Sequence, residues 1–392
     1  MDFNDFEGGY RGSFSSGGSY SFSHGWDDFT LDDEVRAKKR FSRVFLAISL
    51  YLIISIVLIY AAQIACIFIM GNDKAAEFFD YTMLIIANGV AMYVIALPIL
   101  FLMLRKMRST ARMKSNIGIG EFLKIFLIAE ACMYIGSVIG NSVNSFISTI
   151  TGVPIEDRTA EMIENTPIWL IILMVVIIGP IVEEFIFRKL FMDKLGMYGD
   201  RLAIVVSAIA FGLFHGNLYQ FFYAALLGIV LGYLYSRTSN ILYPIALHMI
   251  MNFLGSVIPM LLMDKIIRYE ELANEILQGA EIDIAEYYQL TLIVGGYSMV
   301  QLALVISGVI VFFKYRKSFY VSDRCEVLIP KNRRAHVILL NVGAILFLVV
   351  CAISIASEIV MPIIENLGQA AEQLPTDNLP TDQIPSGGGS NI

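Results

Sequence analysis

The chain has 392 residues, of which 57% are hydrophobic and only 16% are charged. With its 30 glycines the apolar fraction reaches about 65%, against roughly 45–50% in soluble globular proteins, which excludes a soluble globular protein. The net charge is −7, and the sequence shows no basic surface of the kind that binds nucleic acid. The four cysteines lack CxxC spacing, which argues against a disulfide framework or a thiolate zinc site. This composition is typical of a polytopic membrane protein.

The chain begins with residues 1–40, a stretch rich in Gly, Ser, aromatic residues and Asp, which we expect to be a disordered cytoplasmic segment. Apolar stretches follow, and a helix needs about 20 apolar residues to cross a bilayer core. On this criterion we predict nine spans: Val44–Met70, Tyr81–Leu104, Phe122–Ile147, Ile168–Leu195, Leu202–His215, Leu218–Tyr235, Ile241–Met263, Leu290–Phe313 and Val337–Val360. The expected fold is therefore all-α, with about nine transmembrane helices.

Three regions depart from a simple alternation of spans and loops. The fifth and sixth spans are short and are joined by Gly216-Asn217, and we expect them either to form a tight hairpin or to tilt less than the other spans. The loop at 264–289 contains the helical pattern IIRYEELANEIL and is interpreted as an external, solvated helical connector. Residues 363–392 carry an LPTD repeat and are expected to form a flexible external tail.

Lysine and arginine residues between the spans provide an independent test of this count. They concentrate before the first span and between spans two and three, four and five, six and seven, and eight and nine. The alternate loops are acidic or neutral. Because cytoplasmic loops carry the excess of basic residues, nine spans predict a cytoplasmic amino terminus and an external carboxyl tail.

Ionisable side chains at membrane depth are costly and therefore mark candidate functional residues. The spans that carry them are the fourth, fifth and seventh, with Glu183, Glu184, Arg188, His215 and His248. With a rise of 1.5 Å per residue, Glu183 and His215 lie about 18 and 20 Å from the cytoplasmic ends of their helices. His248 lies about 10 Å in, and Asn252 follows one turn deeper. Three helices thus bring polar groups to similar depths.

The fourth span, WLIILMVVIIGPIVEEFIFRKLF, contains two adjacent glutamates whose expected partners differ. Glu184 and Arg188 are four residues apart, which predicts an ion pair on one helical face. Glu183 points about 100° away, so the arginine cannot serve it equally well. Pro180 lacks an N–H, and we expect it to free the carbonyl of Val176 and kink the helix beside Glu183.

Three motifs occur in order on successive predicted helices: EExxxR at Glu183–Arg188, FxxxH at Phe211–His215, and HxxxN at His248–Asn252. This arrangement resembles the CPBP family of intramembrane proteases, which contains CAAX prenyl endopeptidases and bacterial bacteriocin-immunity (Abi) proteins. The resemblance covers roughly Ile168–Met263, about a quarter of the chain. Each motif alone is weak evidence, whereas the three together in membrane helices are strong evidence.

The resemblance implies a role for each matching residue. Glu183 is expected to be the general base that activates a water, and His215 to help orient or activate that water. His248 and Asn252 are expected to stabilise the oxyanion of the tetrahedral intermediate. The supporting ion pair is expected to be Glu184 and Arg188. The chemistry is sound, because a carboxylate in a low-dielectric pocket is a competent base and fixed donors act strongly where water is scarce.

Each of these residues also has an ordinary structural interpretation when it is taken singly. Glu184 with Arg188 is more often a structural pair than a catalytic one. His215 can cap the last turn of a helix, and Asn252 can form an interhelical hydrogen bond. Glu183 can be a proton-coupling carboxylate. It is the ordered set of three motifs that favours a catalytic site.

The metal content is open at this point. Two histidines and a glutamate on separate helices could form a His₂Glu zinc site. HExxH is absent, however, and the resemblance favours a glutamate-activated water. We therefore expect no metal and no other cofactor, with zinc as the less favoured alternative.

The resulting expectation is an intramembrane endopeptidase of the bacterial cell membrane that cleaves a membrane-associated protein or peptide. Its core would be residues 166–263, preceded by helices one to three in 41–165 and followed by helices eight and nine in 290–362. The substrate's identity, its prenylation and the oligomeric state are left open. Two rivals are a proton-coupled transporter and a catalytically silent immunity or scaffold protein. The absence of an internal repeat of spans argues against the transporter, and the complete set of motif residues argues against the silent protein.

Overall fold

A computed structural model describes residues 29–110, 112–321 and 325–372, and throughout these ranges the secondary structure is helical, without a strand. The helices are α1 Leu31–Met70, α2 Asn72–Phe78, α3 Tyr81–Leu104, α4 Ile119–Thr151, α5 Arg158–Glu164, α6 Ile168–Tyr198, α7 Asp200–Phe214, α8 Leu218–Thr238, α9 Leu242–Leu277, α10 Ile284–Tyr315, α11 Lys331–Leu339 and α12 Val342–Glu372. The protein is an all-α polytopic membrane protein, as the composition predicts.

Within the described ranges, eight helices are long and apolar enough to cross a membrane. Each of the nine predicted spans is helical, but the fifth corresponds to α7, which has only 15 residues and is about 22 Å long. Helix α7 reverses at Gly216, whose φ of +72° suits a glycine, and α8 returns antiparallel to it. The predicted hairpin is thus present as α7 and α8, but the prediction that both of its spans are short is wrong for α8, which has 21 residues and is long enough to cross a membrane.

The first helix begins earlier than predicted, so the expectation of disorder is wrong for residues 31–40. The side chain of Thr30 accepts a hydrogen bond from the Asp33 N–H, and the Asp33 carboxylate accepts one from the Thr30 N–H. This capping box satisfies the first orphan N–H groups of α1 and fixes its start ahead of the apolar run. Residues 1–28 and their predicted disorder lie outside the described residues.

The carboxyl-terminal boundaries also differ from those predicted. The last span begins not at Val337 but after Asn341, whose side-chain oxygen accepts from the Ala344 N–H at 3.0 Å and caps α12. Helix α12 continues to Glu372, because its final turns are built from good helix formers such as Ala and Gln. The predicted flexible tail is therefore helical over 363–372, and residues 373–392 lie outside the described ranges.

The connector predicted at 264–289 is helical over most of its length. Helix α9 passes out of the core and continues to Leu277, and α10 begins at Ile284. Arg268 joins the two helices through two hydrogen bonds to Glu286, at 2.9 and 3.1 Å. These side chains are about 40% exposed, as expected of a solvated connector.

The segments that carry most of the lysines and arginines meet at one end of the bundle. Arg40 at the start of α1 donates to the Lys194 carbonyl at 2.6 Å, and Arg108 pairs with Glu326 at 3.1 Å. The Ser115 hydroxyl donates to the Arg237 carbonyl at 2.7 Å. Five basic segments are therefore adjacent, which agrees with the alternation of loop charge, while the assignment of this end to the cytoplasm stays a prediction.

Two glycines permit close packing between the helices of the hairpin and between the hairpin and α4. A Cβ on Gly136 of α4 would lie 2.4 Å from the Tyr223 Cα of α8, and a Cβ on Gly212 of α7 would lie 2.6 Å from the Phe221 carbonyl oxygen. Only a residue without a side chain permits such backbone approach, a common device in membrane helix packing. The two helices of the hairpin are thereby packed closely against each other and against α4.

Candidate active site

The two glutamates of α6 lie between two π-helical segments. The segments are Ile172–Ile178 and Phe185–Met192, and a short α-helical stretch, Gly179–Glu184, joins them. In a π turn each N–H bonds to the carbonyl five residues earlier, instead of four as in an α-helix, and such turns are frequent at functional sites. The change of register determines which backbone carbonyl Pro180 leaves without a donor.

The carbonyl that loses its partner is that of Val175, not that of Val176, so the prediction was one residue wrong. In the π segment the Gly179 N–H bonds to the Met174 carbonyl five residues earlier, and the next bond in this register would run from residue 180 to Val175. Pro180 has no N–H to make that bond. The Asn252 side chain replaces it from α9, donating to the Val175 oxygen at 2.9 Å.

Glu184 and Arg188 form a completely buried ion pair. Arg188 Nε donates to Glu184 Oε2 at 2.7 Å, and both side chains are 0% exposed. Arg188 Nη1 also donates to the Ser207 hydroxyl of α7 at 3.1 Å, and this hydroxyl donates to the Phe187 carbonyl at 3.2 Å. The pair therefore links α6 to α7. The sequence does not predict the role of Ser207, because a serine in an apolar span has no distinguishing local pattern.

His248 of α9 lies between the two glutamates and is 3% exposed. Its Nδ1 is 3.1 Å from Glu184 Oε1, within hydrogen-bond distance, and its Nε2 is 3.7 Å from Glu183 Oε2. Since a carboxylate only accepts, the short contact is one in which Nδ1 donates. The ring orientation is thus set by the buried ion pair, and its other nitrogen faces the second carboxylate.

Glu183 differs from Glu184 in both exposure and partners. Its side chain keeps 21% of its surface accessible, and within the described residues His248 is the one cationic or titratable partner at ion-pair distance. Glu183 Oε1 lies 3.8 Å from the point where a Cβ on Gly179 would stand, and the Tyr93 hydroxyl lies 3.7 Å from the same point. Gly179 therefore leaves a small space beside the carboxylate.

His215 follows the last residue of α7 and lies on the same side of the site as His248, because the Phe211 ring contacts both imidazoles, His248 at 5.7 Å between centroids. Its Nδ1 is 2.8 Å from the Phe211 carbonyl oxygen, which can only accept, so Nδ1 carries the proton. The neutral ring then has its lone pair on Nε2. Edge-on contacts with Phe211 and Phe214, at 4.9 and 6.1 Å between centroids, hold the ring in place.

The structure thus brings together all six candidate site residues, from α6, the end of α7, and α9. Their catalytic roles stay predictions. Two tyrosines that the sequence did not single out also border the site, since the Tyr93 hydroxyl of α3 shares with Glu183 the space beside Gly179, and Tyr51 of α1 stacks on Phe214, next to His215. A tyrosine in an apolar span is usually an interface residue, so no sequence signal distinguished them.

The sequence interpretation overlooked one further ionisable residue at membrane depth. Glu130 lies in α4, in the third predicted span, and is 7% exposed. Its Oε1 is buried and has no hydrogen-bond partner among the described residues. Ionisable side chains at membrane depth are therefore not confined to the fourth, fifth and seventh predicted spans, although Glu130 does not belong to the cluster around Glu183.

The arrangement offers a carboxylate with partial access, a neutral imidazole with a lone pair, and a second imidazole fixed by an ion pair. These are the components of general acid–base chemistry on a water. Among the described residues, no three His, Cys, Asp or Glu side chains converge in a way suited to a metal ion.

Comparisons with known proteins place this cluster within a recognisable segment. Residues 165–254 match the family model described as type II CAAX prenyl endopeptidase, Rce1-like. Over 93 residues the chain is 33% identical to the candidate membrane peptidase YdiL of Bacillus subtilis (strain 168). The aligned stretch is 24% of this chain and 37% of YdiL, so the chain spans little more than a third of the length of the curated relative it matches. No solved structure matches the chain.

Proposed function

We propose that the protein is an intramembrane endopeptidase, a proposal supported by the match of residues 165–254 to the Rce1-like family model and by the three motifs within them. The observation that carries the proposal is the unequal partnering of two adjacent acids. Glu184 is neutralised by Arg188, while Glu183 faces His248 Nε2 at 3.7 Å and keeps part of its surface accessible. An acid in this position can take a proton from water.

The proposed reaction begins with a water between Glu183 and His215. Glu183 removes a proton as the water oxygen bonds to the scissile carbonyl carbon, and the lone pair of His215 Nε2 orients that water. The carbonyl oxygen becomes the oxyanion of a tetrahedral intermediate. The C–N bond then breaks, and the proton held by Glu183 passes to the leaving amine. A positioned acid–base group of this kind contributes about 10²–10⁴-fold to a rate.

The remaining motif residues are proposed to support this step. Arg188 keeps Glu184 ionised, and Glu184 in turn orients His248 through Nδ1. His248 and the second amide proton of Asn252 are proposed donors to the oxyanion. The proposed substrate is a membrane-associated protein or peptide, in keeping with a site at membrane depth. Neither prenylation of the substrate nor a role in bacteriocin immunity is part of the proposed function.

The proposed mechanism uses no metal. His248 has its Nδ1 engaged by Glu184, and its Nε2 points at Glu183, so neither nitrogen is arranged with two further ligands. We expect a chelator to leave the cleavage rate unchanged. Inactivation by a chelator with recovery on adding zinc would replace this mechanism with a zinc-dependent one.

A proton-coupled transporter is the second candidate, and the observation that favours it is Glu130. A buried carboxylate without a partner among the described residues is suited to carry a proton through α4. This candidate assigns function to a different residue, which makes the two proposals separable by matched substitutions.

The decisive experiment compares membranes from cells carrying the wild type, Glu183→Gln or Glu130→Gln by peptidomics. Both variants make the same neutral replacement of a carboxylate at membrane depth. The peptidase proposal predicts that specific fragments disappear in Glu183→Gln and persist in Glu130→Gln. Fragments that persist in both variants, together with proton-driven uptake lost in Glu130→Gln, would favour the transporter.

A further inference from the structure

Tyr51 of α1 carries a buried hydroxyl for which the fold provides no partner. The residue is 1% exposed, and its hydroxyl has no hydrogen-bond partner among the described residues. Burying an unsatisfied hydroxyl costs stability, and phenylalanine would fill the same volume without that cost. A buried polar atom without a partner is rare in a folded protein and requires a structural or functional explanation.

The position of Tyr51 identifies where a partner for its hydroxyl would bind. Its ring stacks on Phe214 at 5.7 Å between centroids, and Phe214 in turn contacts the His215 ring edge-on. Tyr51 belongs to the same packed cluster as Val182 and Phe214, which are adjacent in sequence to Glu183 and His215, and the Tyr93 side chain packs against this cluster. Tyr51 therefore borders the candidate site from the side of α1, which lies outside the segment that matches the peptidase family.

The donors already assigned to the oxyanion are partly committed to other groups. His248 directs Nδ1 to Glu184 and Nε2 to Glu183, so each nitrogen faces a carboxylate. Asn252 donates one of its two amide protons to the Val175 carbonyl oxygen. An oxyanion in a low-dielectric site requires donors that are free to turn towards it. The Tyr51 hydroxyl is such a donor.

We propose that Tyr51 is a catalytic residue whose hydroxyl donates a hydrogen bond to the scissile carbonyl oxygen. This hydrogen bond becomes stronger as the carbonyl oxygen becomes the oxyanion. The inference rests on the proposed peptidase function. Tyr51 neither gains nor loses a covalent bond, and its proton stays on the phenol oxygen throughout. The orphan hydroxyl thereby acquires its partner when the substrate enters.

The test uses Tyr51→Phe in the full chain, reconstituted in lipid vesicles, with a peptide that the peptidomic comparison identifies as cleaved by the wild type. We expect kcat to fall by about 10²–10³-fold, the usual loss for one oxyanion donor, with KM nearly unchanged. Tm is expected to stay equal or to rise, because the substitution removes an unsatisfied buried hydroxyl. A purely structural tyrosine would give the opposite combination, with a lower Tm and an unchanged kcat per folded molecule.

Two companion variants make the result interpretable. Tyr60→Phe is the matched control, since Tyr60 lies on the same helix but is 62% exposed, and it should retain wild-type kcat. Glu183→Gln reports on the proposed function itself. If Glu183→Gln is inactive and Tyr51→Phe is as fast as the wild type, the Tyr51 inference fails alone. If the wild type cleaves no peptide in the membranes, both proposals fail together.

A second readout does not depend on turnover. A peptide aldehyde of the cleaved sequence forms a tetrahedral hydrate that imitates the intermediate, and its binding is measured as a shift in Tm. We expect a clear shift in the wild type and in Tyr60→Phe and a much smaller one in Tyr51→Phe. Equal shifts in the wild type and Tyr51→Phe would overturn the role of the hydroxyl.

Discussion

Two clusters of charged residues in this protein are built on opposite principles. At the basic end of the bundle, Arg112 donates to Asp193 at 2.6 Å and to Asp200 at 2.5 Å. The Tyr235 hydroxyl also donates to Asp193, and the Ser236 hydroxyl donates to Asp200. Each carboxylate of this end cluster thus has both a cation and a hydroxyl.

The cluster at membrane depth is paired incompletely. Glu184 has a cation in Arg188, whereas the one ion-pair partner of Glu183 among the described residues is His248, whose Nε2 lies 3.7 Å away. Full pairing suits a cluster that fastens loops, whereas a carboxylate without a cation can still exchange a proton. The carboxylate that is incompletely paired, Glu183, is therefore the candidate for chemistry, rather than the more deeply buried Glu184.

The largest effect is expected from breaking the buried pair. Arg188→Ala strands the Glu184 charge at 0% exposure and should lower the free energy of unfolding by about 3–5 kcal/mol. Thermal or denaturant unfolding in detergent measures this loss. Arg237→Ala is the control, because the pair of Arg237 with Glu121 is 3.4 Å long and substantially exposed, so its loss should cost less than about 1 kcal/mol. Equal losses in the two variants would contradict the structural role given to Arg188.

The next effect is on activity without a comparable effect on stability. His215→Gln removes the imidazole lone pair that is proposed to orient water, and kcat should fall roughly 100-fold. The ring contributes one hydrogen bond to the Phe211 carbonyl, so stability should fall by only about 1 kcal/mol. Kinetics in vesicles together with Tm separate the two quantities. Retention of most of the activity would remove His215 from the mechanism.

The end cluster should show the reverse pattern. Burial acts to lower the pKa of the Arg112 guanidinium, but Asp200 and Asp193 outweigh burial and raise the pKa above its usual value, so the side chain stays charged. Arg112→Ala leaves two carboxylates without this cation and should cost about 1–3 kcal/mol of stability. The cleavage rate per folded molecule should be unchanged. A large loss of kcat in this variant would show that the end cluster does more than fasten loops.

The sequence predicts the parts of the site that depend on local spacing. The ion pair of Glu184 with Arg188 follows from four residues of helix, and the separation of Glu183 from it follows from the 100° turn per residue. The approach of His248 follows from the resemblance to a family. These inferences need no knowledge of how the helices pack.

The parts that the sequence does not predict depend on register and on packing. The freed carbonyl was placed at Val176 because an ordinary α-helix was assumed, while the π segment moves it to Val175. Ser207 and Tyr51 reach the site through contacts between α6, α7 and α1, and such contacts leave no periodic trace in an apolar span. The early start of α1 depended on the capping pair of Thr30 and Asp33, which lies in a stretch dominated by disorder-promoting composition.

The smallest effect concerns the carbonyl that Pro180 leaves open. Asn252→Ala removes its donor at 2.9 Å and should lower stability by about 1 kcal/mol. Pro180→Ala restores a backbone N–H in the π register and should recover most of the lost stability in the double variant. It is not expected to restore activity if the second amide proton of Asn252 donates to the oxyanion. Unfolding of the two single variants and the double variant measures the coupling. Additive losses would show that Asn252 does not substitute for the missing backbone donor, and the π register would then have no part in placing it.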